Sequence, residues 1–187
     1  TQNKMTVTAY TGPFGPEPVE GTGAQFTLEL AVLCSNSEAG EGGYTGDPTE
    51  TAFLAACRRE KASLDQEYPR VGEIPFSSAR KMMTTAHKTP TGYRIISKGA
   101  PDVLIARCAS QLRGSSISPL SGSAKAKLLS DNSQLAGQAL RVLAVAYKDV
   151  DHLPADDRQT ESGLTFCGLV GMEDPPRKEA RAAVLEC

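Results

Sequence analysis

Two stretches constrain this chain most: "RVLAVAYKDV" (Arg141–Val150) and "GLTFCGLVGM" (Gly163–Met172). Both are dense in apolar and β-branched residues and read as strong strands. The twelve residues between them, "DHLPADDRQTES", are polar and read as loop. A hairpin lies upstream: Met82–His87 and Tyr93–Ser97 read as strands, and "KTPTG" (Lys88–Gly92) as their turn. "NKMTVTAY" (Asn3–Tyr10) alternates and reads as a further strand.

Helical signals fall between the strands. "AQFTLELAVLCSNS" (Ala24–Ser37) reads as a helix, although its first part is also compatible with an extended segment. In "GDPTETAFLAACRREKA" (Gly46–Ala62), Asp47 suits the N-cap and Pro48 the first helical position. Glu50 falls where a capping box wants its acid. Arg58, Arg59 and Lys61 would then lie late in that helix, as the dipole prefers. Pro101 opens a helix bearing Val103, Leu104, Ala106 and Cys108. "AKAKLLSDNSQLAGQAL" (Ala124–Leu140) reads as another helix, and the final "EDPPRKEARAAVLEC" as a Pro-started one. Thr11–Gly23 and Gly114–Ser123 read as loops and Glu38–Tyr44 as a flexible link. There is no internal repeat. A hairpin with no regular strand–helix alternation favours an α+β fold, an antiparallel β-sheet flanked by helices.

The 187 residues suit one globular body, alone or with fragments of a neighbour. A net charge of −2 offers no footprint for nucleic acid. No apolar run approaches a membrane span, and no signal segment opens the chain. The five cysteines form no C-x-x-C, and with only His87 and His152 available a zinc site is not indicated. Cys34, Cys57 and Cys167 read as buried small hydrophobes in a reducing compartment.

No Walker loop is present. "GTGAQF" lacks the third small residue of a dinucleotide fingerprint and follows a loop. The two histidines support no catalytic triad. What remains is scattered: Phe76 and Lys81 in "PFSSARKMM", Lys98 in "SKGAPD", Arg141 at the start of a strand, and Thr49 and Glu50 at a helix N-terminus. An aromatic face, two amines, a guanidinium and a carboxylate are the groups an adenine nucleotide needs. Each also has a plainer reading. Phe76 can be core, Lys81 and Arg141 solvated, and Glu50 a cap and nothing more.

Taken in order, "TQNKMTVT", "GDPTETA", "PFSSARKMM", "KGAPD", "LRVLAVAYK" and "GMEDPPR" resemble the nucleotide-binding (N) domain of P-type cation-transporting ATPases, most of all the calcium-pump and related bacterial branches. The resemblance covers nearly the whole chain. It implies that Phe76 stacks on adenine, that Glu50 reads the base amine, and that Thr49 lies beside it. Lys81 and Lys98 would line the pocket, with Lys98 deep inside, and Gly99 would let the ligand approach the backbone. Arg141 would reach the phosphates and Leu143 the sugar or base. Asp174 and Arg177 would mark a hinge. Three positions depart from the pattern: Ser78 stands where arginine is frequent in the calcium-pump branch, Ala79 replaces a frequently charged residue, and Asp102 replaces the glutamate of KGAPE.

The resemblance further implies a division into residues 1–9, a flanking piece of the phosphorylation (P) domain; 10–172, the N domain; and 173–187, hinge and returning P-domain segment. The phosphorylated aspartate would precede Thr1. The ligand would be ATP with Mg2+, whose main protein ligands would lie outside this sequence. Partners would be the P and actuator domains of the same polypeptide. The location would be cytoplasmic, in an integral protein of a bacterial plasma membrane, with the membrane reached only through the parent. No catalytic residue is expected here. Rival readings are a non-catalytic adenine-nucleotide sensor and a protein-interaction module.

Overall fold

The structure, a computed structural model, describes residues 4–174. Its centre is the pair foreseen from sequence: β10 (Arg141–Val150) and β11 (Leu164–Glu173) run antiparallel, with Leu143 opposite Val170 and Val145 opposite Gly168. The hairpin of β6 (Met82–Thr89) and β7 (Gly92–Gly99) adds to the free edge of β10, placing Lys98 opposite both Met83 and Val145. β5 (Arg70–Ser77) closes that side.

On the other side, β11 is shared. Its second half pairs antiparallel with β1 (Thr6–Gly12), and its first half runs parallel to β8 (Cys108–Arg113). β2 (Gly15–Glu17) and β9 (Ser116–Pro119) extend β1 and β8 as short hairpin arms. A nine-stranded, mostly antiparallel sheet results.

Alternation along the central strands splits the core into two layers. Val145, Tyr147, Cys167, Val170 and Met172 face α1 (Thr22–Leu33), α2 (Pro48–Ala56) and α3 (Lys61–Glu67). Ala144, Ala146, Leu164, Phe166 and Leu169 face α4 (Pro101–Ala106) and α5 (Gly122–Gly137). Gly168 makes room for a ring of the first layer. A Cβ there would lie 2.3 Å from the Tyr10 ring, and the space instead admits Tyr10, whose hydroxyl donates to the Cys167 carbonyl at 2.8 Å. The fold is α+β, as read from the sequence.

Several local expectations are corrected. The helix opened by Pro48 stops at Ala56. Arg58 and Arg59 lie between two helices and Lys61 starts α3, so none of the three serves the end of α2. Arg59 pairs with Glu67 and Glu29 instead. Cys108 begins β8 rather than ending a helix. The segments read as loop or link hold β2, β9, the small hairpin of β3 (Glu38–Gly40) and β4 (Gly43–Thr45), and α6 (Asp157–Thr160). Ala24–Leu33 is helical throughout, which resolves the ambiguity at its start. Cys34, Cys57 and Cys167 are buried and free, as read, and so is Cys108. The helix expected after Glu173 lies outside the described residues from position 175 onward. The division drawn at 9/10 falls within β1, and that at 172/173 within β11. Both strands pair across it, Thr6 standing opposite Glu173.

Candidate functional site

The α2 N-terminus is built as its sequence dictates. Asp47 accepts from the Thr49 backbone N–H at 2.9 Å, and its oxygen also takes the Thr49 hydroxyl. Glu50, however, turns away from the reciprocal half of a capping box. Its Oε2 accepts from the backbone N–H of Asn36 and of Ser37, both at 3.1 Å, and from the Ser37 hydroxyl at 2.9 Å. Its Oε1 accepts from Lys98 Nζ at 2.8 Å.

This ion pair is 7% exposed at Glu50 and 8% at Lys98. Two charges taken out of water pay a desolvation cost that attraction alone need not repay. Here four donors reach the carboxylate, three at Oε2 and one at Oε1. Burial by itself raises the Glu50 carboxyl, but the Lys98 ammonium and the Ser37 and Asn36 hydrogen bonds outweigh it and hold it below the usual carboxylate range. Asp47 follows the same pattern, its burial outweighed by Thr49, the Glu50 backbone and the Lys98 charge.

The neighbouring residues form a row across the sheet. Between the pairs Ile74–Thr84 and Ser77–Met82, two residues of β5, Pro75 and Phe76, oppose the single Met83 of β6. This is a β-bulge, a device that re-aims side chains, and Pro75 fits it because it has no N–H to give the ladder. Phe76 is 63% exposed, so it is not core. Met83 in turn stands opposite Lys98. Two strand spacings therefore separate the Phe76 and Lys98 backbones, about 10 Å.

Lys81 ends the β5–β6 connection with φ of 60° and an exposed side chain. Its N–H donates to the Ser77 carbonyl at 2.7 Å, and its carbonyl accepts from Ala100 N–H at 3.0 Å, tying it to the residue after Gly99. On β10, Arg141 and Leu143 precede Val145 at steps of two and so share its face. Leu143 packs against the α1–α2 core, and Arg141 is exposed beyond the end of β7. Ser78 is exposed in the β5–β6 connection.

The fold thus gathers Thr49, Glu50, Phe76, Lys81, Lys98, Gly99 and Leu143 around one end of β7, with Ser78 and Arg141 at the margins. Gly99 has a packing reason for its identity: a Cβ would sit 2.5 Å from the Lys81 carbonyl oxygen and 2.8 Å from Met82 Cα. Asp174 is exposed just past β11, and Arg177 lies outside the described residues. Sequence reasoning missed Asn36 and Ser37, which bind Glu50 from across a hairpin and carry no local signal. A cavity of about 610 Å³ between the β3–β4 hairpin and α2–α3, lined by Tyr44, Arg58 and Lys61 among others, includes none of these residues. Among the described residues no group of three or more His, Cys, Asp or Glu is placed to hold a metal ion, and no helix is long and apolar enough to cross a membrane.

The described body is α+β, with a buried Glu50–Lys98 ion pair and an exposed Phe76 ring on a nearby bulge. A family model described as "P-type ATPase, cytoplasmic domain N" matches residues 24–179, and the chain belongs to that family. It is 37% identical over 195 residues to a calcium-transporting ATPase 1 of Bacillus cereus and 39% identical over 218 residues to a calcium-transporting ATPase of Bacillus subtilis. An endoplasmic reticulum-type calcium-transporting ATPase 3 of Arabidopsis thaliana is 34% identical over 169 residues, or 86% of this chain and 17% of that protein. The two Bacillus alignments cover all of this chain but only 22% and 24% of those proteins.

Proposed function

We propose that this chain binds an adenine nucleotide at the end of β7 and presents its γ-phosphate to a neighbouring domain of an ATP-driven cation pump. The observation that carries this reading is the exposure of Phe76 on a bulge two strands from the buried Lys98–Glu50 pair. A solvent-facing ring offers adenine a stacking surface. Glu50 offers a fixed acceptor for the base amine at the remaining lone pair of Oε1, beside Lys98. Lys81 and Arg141 would supply cations to the phosphates and Leu143 would meet the sugar, with Thr49 beside Glu50 and Ser78 in place of a phosphate-binding arginine.

In this reading residues 10–172 are the nucleotide-binding body, and Asp174 and Arg177 begin the hinge. The transfer itself belongs to the P domain. An aspartate carboxylate oxygen bonds to the γ-phosphorus as the bond to the ADP oxygen breaks, and ADP leaves. Mg2+, carried by the nucleotide and held mainly outside this chain, would neutralise phosphate charge. This chain contributes position, not bond making. The resulting phosphorylation would drive cation movement, calcium being the ion named for several relatives, through membrane helices of the bacterial parent, with the actuator domain as further partner.

Calorimetric titration with ATP and GTP tests the base-reading role. The chain should prefer ATP, and Glu50→Gln should narrow that preference. Equal affinity for both nucleotides in the unaltered chain would overturn it.

A further inference from the structure

The end of β5 and the β5–β6 connection carry Phe76, Ser78 and Lys81, all exposed, so burial fixes none of the three. Arg80 does. Its Nη1 donates to the Pro75 carbonyl at 3.1 Å and its Nη2 to the Met82 carbonyl at 3.0 Å. One guanidinium therefore ties the residue before Phe76 to the residue after Lys81. The same Nη2 donates to Glu161 Oε1 at 2.9 Å, 81 positions along the chain.

Glu161 is 2% exposed at the end of α6. Its Oε1 also accepts from Thr84 Oγ1 at 2.8 Å, and Thr84 Oγ1 lies 2.7 Å from Ser97 Oγ, next to Lys98 on β7. Arg107 Nη1 donates to the Glu161 carbonyl at 3.3 Å. The anchor is thus buried, charged and joined to the strand that bears Lys98. Arg80 Nε is buried without a partner.

We propose that Arg80 and Glu161 are positioning residues for nucleotide binding: Glu161 holds Arg80, and Arg80 holds the connection so that Phe76 and Lys81 face the base and phosphates. This inference rests on the nucleotide site proposed above. A lysine at position 80 keeps the charge for Glu161 but lacks the planar fork that spans two carbonyls.

The test uses Arg80→Lys and Glu161→Gln in the 187-residue chain, each also combined with Phe76→Ala. AMP affinity is measured by calorimetry, and amide exchange across residues 76–81 by mass spectrometry. Both single variants should speed exchange in that segment and weaken AMP by about two- to tenfold, the scale of one or two lost hydrogen bonds. In the Phe76→Ala background the loss from Arg80→Lys should largely vanish, because the ring it positions is gone. Unchanged exchange, unchanged AMP affinity, or an undiminished loss in the Phe76→Ala background would each overturn the clamp. An unaltered chain that binds no AMP would overturn the nucleotide site itself, an outcome distinct from one that binds AMP and is indifferent to position 80.

Discussion

Lys98 Nζ and Glu50 Oε1 lie 2.8 Å apart, although the residues are 48 positions apart in sequence and both are almost fully buried. One comes from the end of a central strand, the other from the first turn of a helix whose start is set by Asp47 and Pro48. The contact joins α2 to the sheet.

Breaking that pair from one side should be costly. Lys98→Met leaves Glu50 with three donors but no cation, and Glu50→Gln leaves a buried ammonium without its counter-charge. Each should lower unfolding free energy by about 3–5 kcal/mol in denaturant titration. The double variant should recover a substantial part of the loss, as a coupling energy in a double-mutant cycle. Strictly additive losses would show that the two side chains do not stabilise one another.

Burial lowers the His87 pKa to about 4, with the Tyr68 carbonyl bond opposing the shift only in part. That carbonyl can only accept, so Nδ1 carries the proton and Nε2 accepts the Thr85 hydroxyl. The neutral ring is favoured in the folded state, so its contribution is complete above an unfolded pKa near 6.5. It is lost as pH falls from there to about 4, a total of about 3 kcal/mol. The depressed Glu50 and Asp47 carboxyls extend the loss, their contribution present above the ordinary carboxylate pKa and lost as pH falls through their lower folded values. Thermal midpoints between pH 7 and 4 should fall steadily, and His87→Gln should flatten the slope. A parallel slope in the variant would remove His87 from the account.

Phe76 makes a cleaner binding test, since its exposure means truncation leaves no cavity. Phe76→Ala should weaken ATP, ADP and AMP alike by about 1–3 kcal/mol, with a thermal midpoint within a degree or two of the parent. Weakening confined to ATP would assign the ring some role other than stacking.

The central strands, the β6–β7 hairpin and the α2 start were legible because each is written locally, in apolar runs, a turn and a cap. The arms β2, β8 and β9 and strand β5 were not: they are short or half-exposed edge segments whose pairing is decided by neighbours distant in sequence. The end of α2 lies at Ala56 rather than further on: Arg59 and Lys61 suit a helix end but are claimed by Glu29, Glu67 and Asp65. In the site, the residue types were visible, but the partners were not. Nothing in "SNS" announces that Asn36 and Ser37 bind Glu50, and nothing in "ARK" announces that Arg80 reaches Glu161.

The most direct measurement is an AMP titration of the isotope-labelled chain followed by two-dimensional NMR. A nucleotide site at the end of β7 predicts saturable shifts concentrated at Glu50, Phe76, Lys81, Lys98, Gly99 and Leu143, abolished at Phe76 and reduced elsewhere by Phe76→Ala. Shifts confined to the cavity near Tyr44, Arg58 and Lys61, or none at saturating AMP, would contradict it.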